Sequence, residues 1–435
     1  MPKLYSYTMS IDASALDAFY CLQSLFNDQF VYYAKSTDAR RLGLGRCVAV
    51  PSLREAEAVF EGPEECPPVF FSFNRFDGDN PKSADDLMST FPRLLFMLPE
   101  VVILQKGDRT LLQVNSLGPV SEKRAQRLAR EAAKAVAPEP QGVDYQLIMD
   151  SPTEWETMVD AALERIRLGK LNKVVLSRRC NVKLEQPLGS FFALQNLIKD
   201  PTPGTVFMYR YDDVFFCGCT PELLVRKTGN QVETMCLAGT CPSSEDPAQR
   251  GAYAEALMAD EKNRAEHGYV VDFISHVVSR LCYDVEIPDV PRIKTLTAIQ
   301  HLHTPVSAKL MDGRTLSELA NQLHPTPALA GSPVGEAMML LRELEGYNRG
   351  FFGGTAGFVD TAGDGEFSVT IRSGVFDGEE GVIYAGCGIV KGSVAADEYE
   401  ETNLKMRTVM SAFGGKQFEG LRGLSHSGRV IRSPA

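Results

Sequence analysis

The chain has 435 residues, of which 44% are hydrophobic, 23% charged and 9% aromatic, and this globular composition excludes a disordered protein. Its 45 Lys and Arg against 56 Asp and Glu leave a formal charge of −11, which argues against a nucleic-acid partner, because neutralising phosphates needs a clustered basic surface. No apolar run reaches the length of about 18 residues that a membrane span needs. The ten irregularly spaced cysteines read as reduced thiols, since a chain this long buries a core without staples. Residues 1–7 lack the basic-then-apolar layout of a signal peptide, so a cytoplasmic protein is expected.

In chain order, residues 1–117 read as a mixed stretch of short strands and helices. Val69-Phe70-Phe71-Ser72-Phe73 and Leu111-Leu112-Gln113-Val114 are its clearest strands. A helix is expected over 121–136, and Pro138-Glu139-Pro140-Gln141-Gly142 breaks it, so 118–150 forms a helix and linker. Ser151, Pro152 and Glu154 then predict a helix start, with a capping hydroxyl, a proline at the first position and a closing carboxylate. Trp155, Met158, Val159, Ala162, Leu163 and Ile166 follow at helical spacing as far as Gly169, and Lys173-Val174-Val175-Leu176-Ser177 is the next strand. A long helix is expected over 252–281. A strand meander follows over 351–389, with turns at Gly363-Asp364-Gly365 and Asp377-Gly378, and a last helix covers 397–413. The tail, 414–435, reads as mobile. Strands and helices intermix without a βαβ rhythm, which predicts an α+β fold, with 1–117 part of the same unit as a catalytic region over 151–413.

The last helix carries the clearest chemistry. At 100° per residue, Glu398, Glu401, Thr402 and Lys405 share one sector beside Met406, Val409, Met410 and Phe413, while Glu400, Asn403 and Arg407 take the opposite, solvent side. Inward charges must pair or bind something. The simpler alternative is a Glu401–Lys405 surface pair at i, i+4. Asp260-Glu261-Lys262-Asn263-Arg264-Ala265-Glu266-His267 reads as a solvated charge run, yet Glu266 stands just before the apolar stripe that begins at His267 and Val270. Two inward carboxylates from different helices would suit a hard cation such as Mg²⁺.

Lys173 opens an apolar strand. Desolvation there would lower its pKa and allow general-base work; the alternative is a strand-end lysine reaching water. Glu222, in Cys219-Thr220-Pro221-Glu222-Leu223-Leu224, has apolar neighbours that could raise its pKa into general-acid range. Leu237-Ala238-Gly239-Thr240 and Tyr384-Ala385-Gly386-Cys387-Gly388-Ile389 are small-residue stretches whose backbone N–H groups can approach a ligand, and Arg372 could grip a carboxylate bidentately. Gly43-Leu44-Gly45 lacks the third glycine of a dinucleotide fingerprint, and Cys217, Cys219, Cys236 and Cys241 lack zinc spacing.

Seven of these stretches resemble the chorismate-utilising enzymes, in family order. They are Lys173-Val174-Val175-Leu176-Ser177, Pro221-Glu222-Leu223-Leu224, Ala238-Gly239-Thr240, the run from Asp260 to His267, and His324-Pro325-Thr326-Pro327-Ala328-Leu329-Ala330-Gly331. The last two are Phe352-Gly353-Gly354 with Thr370-Ile371-Arg372, and Ala385-Gly386-Cys387-Gly388-Ile389-Val390 with Glu401-Thr402-Asn403-Leu404-Lys405. The resemblance covers about 150–413. It implies one large α+β unit with extended sheets around a central site and helices outside. It implies Mg²⁺ held by Glu266 and Glu401 on the ring carboxylate of chorismate. Arg372, Tyr384 and the backbone at Gly386 would hold the enolpyruvyl carboxylate, with Gly239, Thr240, His301 and Lys405 on the substrate side. Lys173 matches the water-activating lysine of the isochorismate and salicylate branches, where anthranilate synthases have glutamine. Ala238 stands where the aminodeoxychorismate branch has a nucleophilic lysine. The resemblance therefore implies an isochorismate synthase, with Lys173 as base and Glu222 as acid and no glutaminase subunit; no interaction segment stands out, so a monomer is expected. Its product would feed menaquinone or siderophore synthesis. The alternatives are a salicylate synthase, which goes on to expel pyruvate, and a non-catalytic chorismate-binding regulator.

Overall fold

In the computed structural model, residues 4–51, 66–82, 86–92, 96–414 and 431–432 are described. β-Branched and aromatic runs form two large sheets, of 13 and 10 strands among these residues. The first sheet runs Tyr5–Ile11, Arg109–Ser116, Val101–Lys106, Ala39–Leu44, Asp28–Ala34, Thr205–Tyr211, Val214–Thr220, Ser373–Asp377, Glu380–Val390, Lys173–Leu184, Tyr145–Met149, Ile431–Arg432, with Gly331–Ser332 alongside the start of Lys173–Leu184. The second runs Cys282–Glu286, Ile299–Leu310, Gln231–Pro242, Leu223–Thr228, Gly365–Val369, Thr355–Asp360, Val69–Asn74, Phe96–Leu98, Val48–Val50, with Arg292–Thr295 beside Ile299–Leu310. Strands from before residue 150 pair with strands from after it in both sheets: Asp28–Ala34 with Thr205–Tyr211, and Val69–Asn74 with Thr355–Asp360.

The sheets bury aromatic faces against each other, Phe30, Phe207, Tyr209 and Phe216 from one and Phe71, Phe73 and Phe358 from the other. Ala15–Leu22, Ser190–Lys199 and Ala395–Met410 cover the outer face of the first sheet, and Glu261–Leu281 and Leu316–Leu323 that of the second. This is the expected α+β arrangement. Two short crossovers, residues 221–222 and 370–372, carry the chain from the first sheet to the second and back. They lie side by side: the Val369 N–H donates to Glu222 O at 3.1 Å, and the Cys219 N–H to Arg372 O at 3.3 Å. A Cβ on Gly218 would lie 2.5 Å from Arg372 O, so the approach needs glycine there.

Several sequence expectations change. The helix over 252–281 is two helices, Pro247–Ala259 and Glu261–Leu281, broken at Asp260, whose extended backbone and carboxylate cap the second by accepting the Asn263 N–H. Ser151 and Pro152 do begin the helix Pro152–Arg167, but the Ser151 side chain makes no capping bond; its carbonyl accepts the Trp155 N–H at 3.2 Å instead. The mobility expected of the tail falls on 415–430 and 433–435, outside the described residues, while Ile431–Arg432 pairs in parallel with Ile148 and Met149. No described helix is long and apolar enough to cross a membrane.

Asn403, expected on the solvent side, is buried because a neighbouring strand buries a guanidinium beneath it. Arg178 donates from Nε to Thr402 Oγ1 at 2.6 Å, from Nη2 to Asn403 Oδ1 and from Nη1 to Asp150, and lies 3.7 Å from the centre of the Tyr399 ring. These contacts pin the last helix to the Lys173–Leu184 strand. Arg178→Ala is expected to cost about 3 kcal/mol in urea unfolding, since it leaves buried acceptors without a donor; a loss below about 1 kcal/mol would show that the pin is unimportant.

Candidate active site

Where the crossovers meet the ends of the two sheets, a cleft of about 700 Å³ opens, mouth included. That is the size of a small-molecule site. Of the eleven residues singled out above, Glu222, Gly239, Thr240, Glu266, His301, Arg372, Gly386 and Lys405 line it. Lys173, Glu401 and Tyr384 stand one layer back. Lys173 touches Glu266, Glu401 touches Lys405, and the Tyr384 ring stacks 5.3 Å from Phe352, itself a wall residue.

Lys173 sits between two strands, its backbone paired with Val390 on one side and Ser332 on the other. Its side chain is wholly buried, so the alternative of a strand-end lysine reaching water is overturned. Nζ lies 2.9 Å from Glu266 Oε1. A Cβ on residue 388 would fall 2.4 Å from that oxygen and 2.8 Å from Lys173 Cε, so Gly388 leaves the room the pair occupies. Burial pushes the Glu266 carboxyl up, but Lys173, Lys405 and Lys262 outweigh it and hold the group below the usual carboxylate range. The charge run at the start of Glu261–Leu281 is therefore not all solvated face. Lys262 also reaches inward, to the buried Glu398 at 2.6 Å.

Glu222 is buried in the first crossover, and burial pushes its carboxyl up to about 7, although Lys294, Lys173, Arg372 and Lys405 all pull the other way. It is thus a carboxyl that keeps its proton close to neutrality. Arg372, in the second crossover, has φ +56°, a left-handed conformation that a non-glycine residue holds only when its surroundings force it. Its Nη2 lies 3.2 Å from His301 Nε2. A guanidinium only donates, so Nε2 accepts and Nδ1 carries the proton. Nδ1 then faces Gly239 O and Thr240 Oγ1, both at 3.2 Å. Burial first, and then Arg372, hold the imidazole far below its usual pKa, so it stays neutral and steers the arginine. Gly239, at φ +78°, forms the bulge that turns its carbonyl to His301, and Asn263 Oδ1 accepts the Thr240 N–H at 3.1 Å.

Lys405 donates to Gly386 O at 2.9 Å and pairs with Glu401 at 2.6 Å. The i, i+4 pair exists, but with the lysine side chain 14% exposed it belongs to the cleft wall rather than the surface. Burial, and then Glu398 and Glu401 on Ala395–Met410 and Glu266 on Glu261–Leu281, push the Cys387 thiol up, but among the described residues no three acidic, His or Cys side chains are gathered closely enough to hold a metal by themselves. Both Glu266 and Glu401 offer oxygen and are held by lysines, Lys173 and Lys405, so a hard cation there would take its remaining ligands from water and substrate.

Sequence reasoning missed three groups. Lys262 was hidden in the charge run. Arg349 lines the cleft and is locked by Glu345, at 2.6 and 2.8 Å, and by the carbonyls of Leu329 and Val175, at 3.0 and 2.6 Å. Its i, i+4 spacing from Glu345 reads locally like any surface pair. Lys294 donates to Pro221 O at 2.6 Å, behind Glu222, with no local signal in its sequence.

A buried acid, a buried lysine and a set of cations around one cleft between two sheets define an enzyme for small carboxylate substrates. The family model described as chorismate binding enzyme matches residues 1–414, and the chain belongs to that family. It is 32% identical over 329 residues to the isochorismate synthase MenF of Bacillus subtilis (strain 168), covering 74% of this chain and 70% of that protein. It is 32% identical over 376 residues to the salicylate biosynthesis isochorismate synthase of Pseudomonas aeruginosa, covering 83% of this chain and 77% of that one. The structure of MenF, the menaquinone-specific isochorismate synthase from Escherichia coli, shares the fold at a TM-score of 0.78, with 24% identity over 95% of both chains.

Proposed function

We propose that the chain is an isochorismate synthase, which adds water at C2 of chorismate as the C4 hydroxyl leaves. The observation that carries this reading is the Glu222 carboxyl, protonated up to about pH 7 in the wall of a cleft that also holds Arg372 and Lys405. Such a group can hand a proton to a departing hydroxyl. Lys173, as the neutral amine, takes the proton from the attacking water, and the ring double bonds shift as the C4 oxygen leaves with the proton of Glu222. One water enters and one leaves. The base role needs Lys173 Nζ, 2.9 Å from Glu266 Oε1, to turn from that carboxylate toward the attacking water. Arg372, steered by His301, holds the enolpyruvyl carboxylate beside the Gly386 backbone, with Tyr384 backing the wall through Phe352. Glu266 and Glu401 would hold Mg²⁺, which when bound neutralises and positions the ring carboxylate.

The nucleophile is water, so the reading needs no glutaminase subunit; we take the enzyme to be a cytoplasmic monomer. Glu401→Gln is expected to raise the Mg²⁺ concentration for half-maximal activity by about tenfold or more, and an unchanged Mg²⁺ titration would refute Glu401 as a ligand. The test of the function itself is purified protein with chorismate and Mg²⁺, the products separated by chromatography with a pyruvate assay alongside. Isochorismate without pyruvate is the expected result. Salicylate with stoichiometric pyruvate would move the chain to the lyase branch, and no product would make it a binder only.

A further inference from the structure

We infer that Lys294 is a positioning residue for Glu222: from behind the cleft wall its ammonium fixes the crossover that carries the carboxyl and faces the negative charge the carboxyl acquires on giving up its proton. The inference rests on reading Glu222 as the acid.

The short strand Arg292–Thr295 hangs on the edge of Ile299–Leu310, with Lys294 directly opposite His301. One cross-strand pair therefore serves both crossovers, His301 reaching Arg372 and Lys294 reaching the residue before Glu222. Nζ donates to Pro221 O at 2.6 Å and lies 3.6 Å from Met235 Sδ. Among the described residues it forms no ion pair, though nearly all the other inward lysines of this region do. Lys294 and Pro221 line a second cavity whose charged and titratable lining is Arg226, Arg292, His303, Glu233, Glu286 and Glu366, and Lys294 forms no ion pair with these carboxylates. Glu222 lines only the cleft, so Lys294 acts through the wall and not on substrate.

An ammonium kept partly buried without a carboxylate partner costs stability, and a structural role would be served as well by a neutral donor. Its charge has a use at Glu222. When Glu222 protonates the leaving hydroxyl it becomes a buried anion, and a fixed cation already in place stabilises that anion without reorganisation. The charged and titratable groups facing Glu222 are Lys294 from the edge strand, Lys173 and Lys405 from the first sheet and last helix, Arg372 from the other crossover, and the Cys236 thiol. After burial, which dominates, Lys294 leads the cations in its effect on Glu222, and Glu222 in turn opposes the lowering that burial imposes on Lys294.

The test is Lys294→Met, compared with Lys294→Arg, with kcat and KM measured across pH at saturating Mg²⁺. Without the cation Glu222 becomes a weaker acid. The alkaline limb of kcat/KM should move up by about one pH unit, kcat should fall several-fold, and KM for chorismate should stay put. Lys294→Arg should restore the limb. A second readout needs no turnover: with EDTA present, the pH at which the parent loses stability relative to Glu222→Gln should move up by the same amount when Lys294→Met is placed in both proteins. If Lys294→Met does not fold, Lys294→Gln removes the same charge while keeping a donor. An unmoved limb in the Met or Gln variant would overturn the inference. If the limb also persists in Glu222→Gln, Glu222 is not the acid, and the reading on which this rests fails instead.

Discussion

Lys173→Ala is expected to reduce kcat by about 10²–10⁴-fold, the contribution of a positioned general base. The fold should survive, because the Lys173 strand is hydrogen-bonded on both sides, to Glu380–Val390 and to Gly331–Ser332. Stability should fall, since the substitution removes the nearest cation from Glu266, whose side chain is only 13% exposed. The two effects separate by measurement. Circular dichroism and urea unfolding report the structural cost, and kcat under conditions where both proteins are folded reports the chemistry. A mutant that folds and turns over within tenfold of the parent would remove Lys173 from the mechanism.

Glu222→Gln should be as damaging to turnover, about 10²–10⁴-fold, because glutamine has no proton to give. It should also change stability in the opposite sense to most buried substitutions, and in a pH-dependent way. The Glu222 carboxyl ionises near 4.5 when unfolded and near 7 in the fold. The folded state therefore binds this proton more tightly. The resulting stability is fully present below about pH 4.5 and is lost as pH rises through about 7. Over those two and a half units the parent loses about 3 kcal/mol that Glu222→Gln does not lose. The difference in unfolding free energy between mutant and parent should thus shift in favour of the mutant between about pH 5 and pH 8. A flat difference would mean that the carboxyl is already ionised at neutral pH and cannot be the acid.

The contrast between these two residues marks how far the sequence could be read. Desolvation of Glu222 was legible because its neighbours Leu223 and Leu224 are apolar. The partner of Lys173 was not, because Glu266 lies 93 positions away, and no local pattern predicts a contact between a strand and a helix at that separation. The same limit explains Asn403, placed on the solvent side by its helical angle and buried by Arg178 of another strand. It explains the helix break at Asp260 as well: within a run of charges, a capping aspartate looks like its neighbours until its backbone is seen.

The α+β class, the helix from Pro152, the Lys173 strand, the last helix and nearly all the residues that line the cleft were legible in the residues, while the strands of 205–242 and 282–310 were not. Local periodicity and a set of spaced motifs carry that information without knowledge of contacts. Only the tertiary structure decided which charges meet. It sets Lys173 on Glu266, Lys262 on Glu398, His301 on Arg372 and Lys294 behind Glu222. The physical reason is that a titratable group is defined by its burial and by the charges within a few ångströms, and both are properties of the packed chain rather than of its neighbours in sequence.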